Sequence, residues 1–328
     1  MHKKRLYVAV LAMMLVMVLG GCGNSDNKAL TNGNEGSVNA NRTAEADGTE
    51  AEATRLVTDE LGHEVKVPKA PVNIMAPYQE DSLLMLGITP VAQWSSGGTV
   101  QTYLQDKLAD VPVIDMSAAL SPEAVLQFKT DLLVLHTASM GEGELYEQYT
   151  QATPTYVFEN ALGDSRESLR KLGDLLGKKA EAEAALKKHD ELLSDVKNEI
   201  NARAGSVKIG IVQINSKKFR MFGNVYFAGP LLYNELGFEQ PELVRDKDIV
   251  DLSLEVLPEL DADFLFVIDQ NGGEGQTKEI MESKVWKSVP AVKQNHMFIV
   301  DPSHWLGNGL IANEMVAEDV RDLILHAT

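Results

Sequence analysis

Few residue groups in this 328-residue chain have the types and spacing that chemistry needs. One is a lone cysteine, Cys22, which without a second thiol can form neither an internal disulfide nor a cysteine-based zinc cluster. Another is a cationic run, Lys217, Lys218 and Arg220, followed by the rings of Phe222 and Tyr226. Cations beside aromatic walls suit a bulky organic anion. A third is an acid two residues after a serine, in Ser121-Pro-Glu123 and again in Ser253-Leu-Glu255. Each serine is a good helix N-cap, Pro122 is a favoured first helical residue, and a first-turn acid meets the helix dipole favourably. Beyond residue 22 the histidines (His63, His136, His189, His296, His304 and His326) are scattered. A direct zinc or manganese receptor needs about three of them converging with a carboxylate. No G-x-S-x-G elbow, P-loop or post-strand G-x-G-x-x-G is present, and no spacing of histidines and acids argues for a triad. The chain therefore reads as a non-enzyme with no resident metal and no cofactor.

Apolar residues at 44% and charged residues at 24% suit a soluble globular protein of one or two domains and exclude a disordered or collagen-like chain. Lys and Arg total 30 against 48 Asp and Glu, a net charge of −18. That excess repels phosphate and excludes nucleic acid as a partner.

The cysteine is explained by its position. Lys3, Lys4 and Arg5 precede an apolar run from Leu6 to Leu19 that is shorter than the roughly 20 residues a membrane-spanning helix requires, as expected of a signal-peptide core. The run ends in Leu19-Gly20-Gly21-Cys22, which resembles the lipobox of bacterial lipoproteins. The reading is a signal peptide over 1–21 and a mature chain whose first residue, Cys22, carries the lipid (palmitate) and holds it on the extracytoplasmic face of the cell membrane. Cleavage leaves 27 basic against 48 acidic residues, a mature charge of −21. Residues 22–54 form the lipid anchor and a flexible tether, because Gly23 to Ala53 has no aromatic residue and almost no large apolar one. Its reach is roughly 30 Å.

From Arg55 onward, apolar strands alternate with short helices. Expected strands include Val72–Met75, Val91–Trp94, Leu132–Leu135 and Thr155–Phe158, then Val207–Ile214, Phe264–Ile268 and Met297–Val300. Strands of continuous apolar character indicate a parallel sheet covered on both faces. Further helices are expected at Pro122–Phe128, Gly229–Leu236, Leu254–Leu260 and Leu310–His326. Between the two strand groups, Lys178 to Ala202 runs without Pro or Gly. It predicts a helix of roughly 37 Å that could serve as a spine. Ser121, Glu123, Asp131, Leu133 and Leu135 match Ser253, Glu255, Asp263, Leu265 and Val267 at one offset, predicting two similarly built lobes on either side of that helix.

The segments Arg55-Leu-Val-Thr-Asp-Glu-Leu-Gly-His-Glu-Val-Lys-Val-Pro68, Asp81-Ser-Leu-Leu-Met-Leu-Gly-Ile-Thr-Pro-Val91, Glu123–Leu135, Gly229–Gly237 and Trp286–Asp301 together resemble the iron–siderophore class of ABC-transporter substrate-binding lipoproteins, periplasmic-binding-protein-like and of the helical-backbone kind. The resemblance implies an α/β fold: two α/β lobes joined by one long helix, with the ligand cleft between the lobes. It divides the chain into an N-terminal lobe over 55–165, a helical connector over 166–204 and a C-terminal lobe over 205–328. It implies a monomer that captures a ferric siderophore and delivers it to an ABC permease. Glu123 and Glu255, one per lobe, would dock onto permease arginines. The cleft residues expected from the strand-end loops are Tyr78, Trp94, Ser95, Ser139 and Met140 on one lobe. On the other they are Lys217, Lys218, Arg220, Phe222, Tyr226, Asn271 and Trp305. The alternative is a haem or cobalamin receptor of the same fold, with Met140 and His304 as axial haem ligands. At −21 the protein repels anions, so an anionic chelate would need the Lys217–Arg220 cluster, whereas a neutral or cationic hydroxamate complex would not.

Overall fold

The computed structural model describes residues 53–327. The expected signal peptide, Cys22 and nearly all of the expected tether lie outside the described residues. Among those residues no helix is long and apolar enough to cross a membrane.

The first lobe opens on a hairpin, β1 (Thr54–Thr58) and β2 (Glu64–Pro68), followed by β3 (Ile74–Met75) and the short helix α1 (Glu80–Met85). Next come β4 (Gln93–Ser96), β5 (Thr99–Val100), α2 (Gln105–Leu108), β6 (Val113–Asp115), α3 (Pro122–Gln127), β7 (Leu132–Leu135), α4 (Gly143–Ala152) and β8 (Thr155–Val157). β3, β7 and β8 form a parallel sheet, and β4 pairs parallel with β6 and antiparallel with β5. Because successive residues of a strand face opposite ways, Leu132 and Val134 enter one apolar core while Leu133 and Leu135 enter another.

Helix α5 (Ser165–Leu175) ends at Gly177, whose φ of 68° suits a residue without a Cβ. The spine, α6 (Lys179–Ala204), follows. Its first half buries Ala182 and Leu186 in the core of the first lobe, and its second half buries Leu193, Val196 and Ile200 in that of the second. The change of core falls at His189, which is fully buried with Nδ1 3.2 Å from Oε1 of Glu314.

The second lobe carries β9 (Ile209–Ile214), β10 (Phe219–Phe222), β11 (Ile249–Asp251) and β12 (Phe264–Asp269). It continues through α7 (Gln276–Glu282), α8 (Pro290–Lys293), β13 (Met297–Val300) and α9 (Pro302–Trp305). The sheet order is β11-β10-β9-β12-β13. It is mixed: β10 runs antiparallel to both β9 and β11, and between β9 and β10 the tight turn at Asn215–Lys218 leaves no room for the crossover a parallel pair needs. Two expected helices are altered. Gly229–Leu236 is a turn of π-helix over Pro230–Glu235, and Leu254–Leu260 shrinks to a 3₁₀ turn at Leu257–Glu259, where Pro258 removes a donor. The expected strand at Val91–Trp94 lies slightly later, at Gln93–Ser96.

The repeat read from the sequence has a structural counterpart. Asp131 accepts the N–H groups of Val72 and Asn73, and its own N–H donates to the Asn73 carbonyl. Asp263 accepts the Lys208 N–H at 2.7 Å and donates to the Lys208 carbonyl. Each aspartate thus ties the start of a central strand, β7 or β12, to the start of its parallel neighbour, β3 or β9. The three-strand cores β3-β7-β8 and β9-β12-β13 are the same unit built twice.

The last helix, α10 (Leu310–Ala327), returns to the first lobe. Leu310 enters that lobe's core, while Val316, Ala317, Val320 and Ile324 pack with α6 in the core of the second. The N-terminus of α10 is capped from the other lobe: buried Asp81 accepts the N–H groups of Ile311 and Ala312, at 3.1 and 3.2 Å, and the Tyr103 hydroxyl at 3.1 Å. The protein is therefore a two-lobed α/β structure with α6 as its connecting helix.

Candidate ligand-binding site

Tyr78 after β3, Trp94 of β4 and His136 after β7 build an aromatic group in the first lobe. Tyr78 has a φ of 69°, a conformation that costs a bulky side chain energy and that structures keep mainly at functional positions. It stacks on Trp94, centroids 4.4 Å apart, and tilts against His136 at 4.3 Å. Burial holds the His136 imidazole below its usual pKa, so the ring is neutral, and its buried Nδ1 has no hydrogen-bond partner. Buried Trp94 Nε1 and Gln79 Oε1 are likewise unpartnered.

Two hollows border this group, and a third shares Leu162, Ser165 and Asn308 with the first of them. A small one of about 70 Å³ is bounded by Tyr78, Trp94, Asp81, Tyr103 and the Leu306–Gly309 segment. A second, about 370 Å³, is lined by Tyr78, His136, Ser139 and Met140. A third, also about 370 Å³, is lined from the first lobe by Asp164 and Arg166, from the second by Phe227 and Glu235, and from the start of α10 by Asn308 and Asn313. Arg166 crosses the lobes here, pairing with Glu235 at 3.3 Å and with Asp190 of the spine. Burial raises the Glu235 pKa, against the pull of His189 and Arg166. A fourth hollow, about 380 Å³, lies on the first lobe between β1 and α5. Its Arg55 caps the end of α5, while Arg170 and Lys171 are held by Glu183 and Glu60, so those three cations are engaged.

The expected residues divide accordingly. Tyr78, Trp94, Ser139 and Met140 come together around the first two hollows. Ser95 does not: it is buried, and its hydroxyl donates to the Ile114 carbonyl. Lys217 and Lys218 are exposed at the β9–β10 turn, where both N–H groups donate to Asn215 Oδ1. Arg220 Nε donates to Gln213 Oε1 at 2.6 Å and its guanidinium lies 5.2 Å from the centre of the Phe222 ring. Phe222 itself is core. Tyr226 is 43% exposed beside Phe227. Asn271 donates to Thr277 Oγ1 at 3.1 Å.

Trp305, expected in the cleft, is fully buried: Nε1 donates to Asp319 at 2.9 Å and the ring stacks on Phe266. The single turn of α9 folds back under the sheet immediately after β13, which carries Trp305 inward. His304 goes with it, its Nε2 2.7 Å from the same Asp319 carboxylate. His304 is thus already held at Nε2 and lines none of the hollows that Met140 borders. Trp305→Ala is expected to cost about 3–5 kcal/mol of stability. Urea unfolding would read that loss.

Glu80, Asp81, Tyr103, Arg166 and Phe227 are not singled out by the sequence. Glu80 and Asp81 read as ordinary first-turn acids. Phe227 carried one visible cue, its place between Gly223 and Gly229; its φ of 53° matches the strained Tyr78 of the opposite lobe.

Comparison with known proteins agrees with this architecture. The chain is 27% identical over 308 residues to the iron(3+)-hydroxamate-binding protein FhuD of Bacillus subtilis, covering 91% of each chain. Its fold matches a Bacillus subtilis FhuD-fold protein, described as a periplasmic binding protein component of a Fep/Fec-like ferrichrome ABC transporter. The TM-score is 0.70 at 23% identity, over 82% of this chain and 99% of the other. It also matches Staphylococcus aureus SirA complexed with staphyloferrin B, with a TM-score of 0.68 at 24% identity, over 82% and 98% of the two chains. The periplasmic binding protein model matches residues 75–304, from the end of β3 to His304 and across both lobes, and the chain belongs to that family.

Proposed function

We propose that this protein is a lipid-anchored solute-binding protein that captures a ferric siderophore between its lobes and delivers it to an ABC permease. The observation that carries the reading is the Tyr78–Trp94–His136 stack, set on strained backbone beside hollows that both lobes help to line. Stacked rings give a large apolar contact for a bulky organic chelate, and the unpartnered Gln79, Trp94 and His136 atoms supply polar contacts beside it. The family and the hydroxamate-binding relative support the same ligand class. Cys22 anchors the chain, Glu123 and Glu255 dock it, and it binds as a monomer without catalysis.

The test is tryptophan fluorescence quenching against ferric trihydroxamate, ferric catecholate, ferric citrate, haem and cobalamin. One ferric chelate class should quench saturably. Tyr78→Ala should weaken that binding about tenfold, the loss of one good aromatic contact. A Soret band on haem titration with no ferric chelate binding would instead select the haem receptor, and silence across the panel would refute the reading.

A further inference from the structure

Beneath the aromatic wall lies a carboxyl group that the reading above leaves unused. Glu80 begins α1 and is 0% exposed, yet no ion pair reaches it among the described residues. Its Oε1 accepts the Trp94 N–H at 2.9 Å. Its Oε2 is buried without any hydrogen-bond partner. Two residues before it stands Tyr78 on its strained backbone, and between them Gln79 is 2% exposed. One buried side chain thus links the strand that carries Trp94 to the turn that carries Tyr78.

We propose that Glu80, in its uncharged form, is the positioning residue that holds Tyr78 and Trp94 in their ligand-ready stack, and that its ionisation releases them; this rests on the stack being the chelate-contacting surface. A buried carboxylate without a cation is costly, whereas the carboxylic acid carries no charge to compensate. Burial raises the Glu80 pKa to about 8, outweighing the nearby N–H groups of Trp94, Glu80 and Tyr78, with adjacent Asp81 adding to the rise. The other groups facing this site offer no relief. The pKa values of the Tyr78 and Tyr103 phenols are raised, His136 is held neutral by burial, and Asp81 is itself an acid, occupied by Tyr103, Ile311 and Ala312 and acted on by Glu314. An ionised Glu80 can recover solvation only by leaving its place, which breaks its bond to Trp94.

The sign follows from which form is competent. Rising pH converts the competent acid to the carboxylate, so apparent affinity falls above the Glu80 pKa in proportion to the protonated fraction. Between pH 7 and pH 9 the loss is about tenfold.

Two measurements test this. In the ligand-free protein, tryptophan emission titrated from pH 6 to 10 should show a step centred near pH 8 that Trp94→Phe and Glu80→Gln each remove. Titration of a neutral ferric trihydroxamate, whose charge is constant over this range, should show wild-type affinity falling about tenfold from pH 7 to pH 9. The affinity of Glu80→Gln should no longer vary with pH. A ligand-free wild type without the step, a step that survives Glu80→Gln, or a pH-independent wild-type affinity each overturns the proposal. If no ferric chelate binds at any pH while the step behaves as described, the siderophore reading fails and the positioning of Trp94 by Glu80 stands.

Discussion

Reversing the charge of both Glu123 and Glu255 is expected to abolish chelate-dependent iron uptake by cells while leaving the dissociation constant of the purified protein unchanged. Both side chains are exposed, and each follows a serine that organises its turn. Ser121 Oγ accepts the Ala124 N–H at 3.1 Å, and the Ser253 hydroxyl holds the Glu255 carboxyl below its usual pKa. Glu255 is therefore ionised at neutral pH. The two acids occupy matching places in the repeated unit whose aspartates, Asp131 and Asp263, tie the central strands. A permease with two-fold symmetry would meet one fixed charge from each lobe. Replacing an interfacial attraction by a like-charge contact turns a favourable pair into a repulsive one, so a single reversal should impair uptake and the double reversal should eliminate it. Radiolabelled iron uptake alongside quenching titrations reads the two effects separately. Normal uptake by the double variant would remove both glutamates from the docking surface.

Asp81→Ala should destabilise the protein by about 3–5 kcal/mol, the loss expected when several buried polar groups are orphaned together. The substitution leaves the Ile311 and Ala312 N–H groups and the Tyr103 hydroxyl without their acceptor, at a contact that caps α10 from the other lobe. Gly309→Ala should produce the same lesion from the opposite side, because a methyl group there would overlap the Asp81 carboxylate. Urea denaturation would show a lower midpoint for both variants, and the double variant should lose less than the sum, since the two changes break one contact. Unaltered midpoints would mean that α10 is held by its apolar face alone.

The parts of this architecture that were legible beforehand are those written in local patterns. The unbroken Lys178–Ala202 stretch, the left-handed glycine at Gly177 and the apolar runs at Leu132–Leu135 and Phe264–Ile268 all have the structures their patterns predict. The one-offset repeat identified Asp131 and Asp263 before their hydrogen bonds were visible. Pairing between distant segments was less legible. Nothing in the sequence announces that the segment at Ile249–Asp251 joins β10 as an edge strand. The site was legible where a ring follows a strand, as at Tyr78 after β3. It failed where a ring follows a strand but the chain then folds inward, as at Trp305. Glu80 and Asp81 were hidden for a different reason. A first-turn acid is ordinary on a surface helix, and only the packing of β4 and α10 over α1 makes these two buried.

The cap on α10 also bears on how the chain matures. Asp81 is synthesised early, whereas Ile311 lies 230 positions later, almost at the end of the chain. Until that last segment arrives, the first lobe has a carboxylate with two of its acceptor positions empty and an apolar surface that Leu310 has yet to cover. The lobes are consequently not self-contained modules: the first shares part of its core and a buried cap with the last helix of the second.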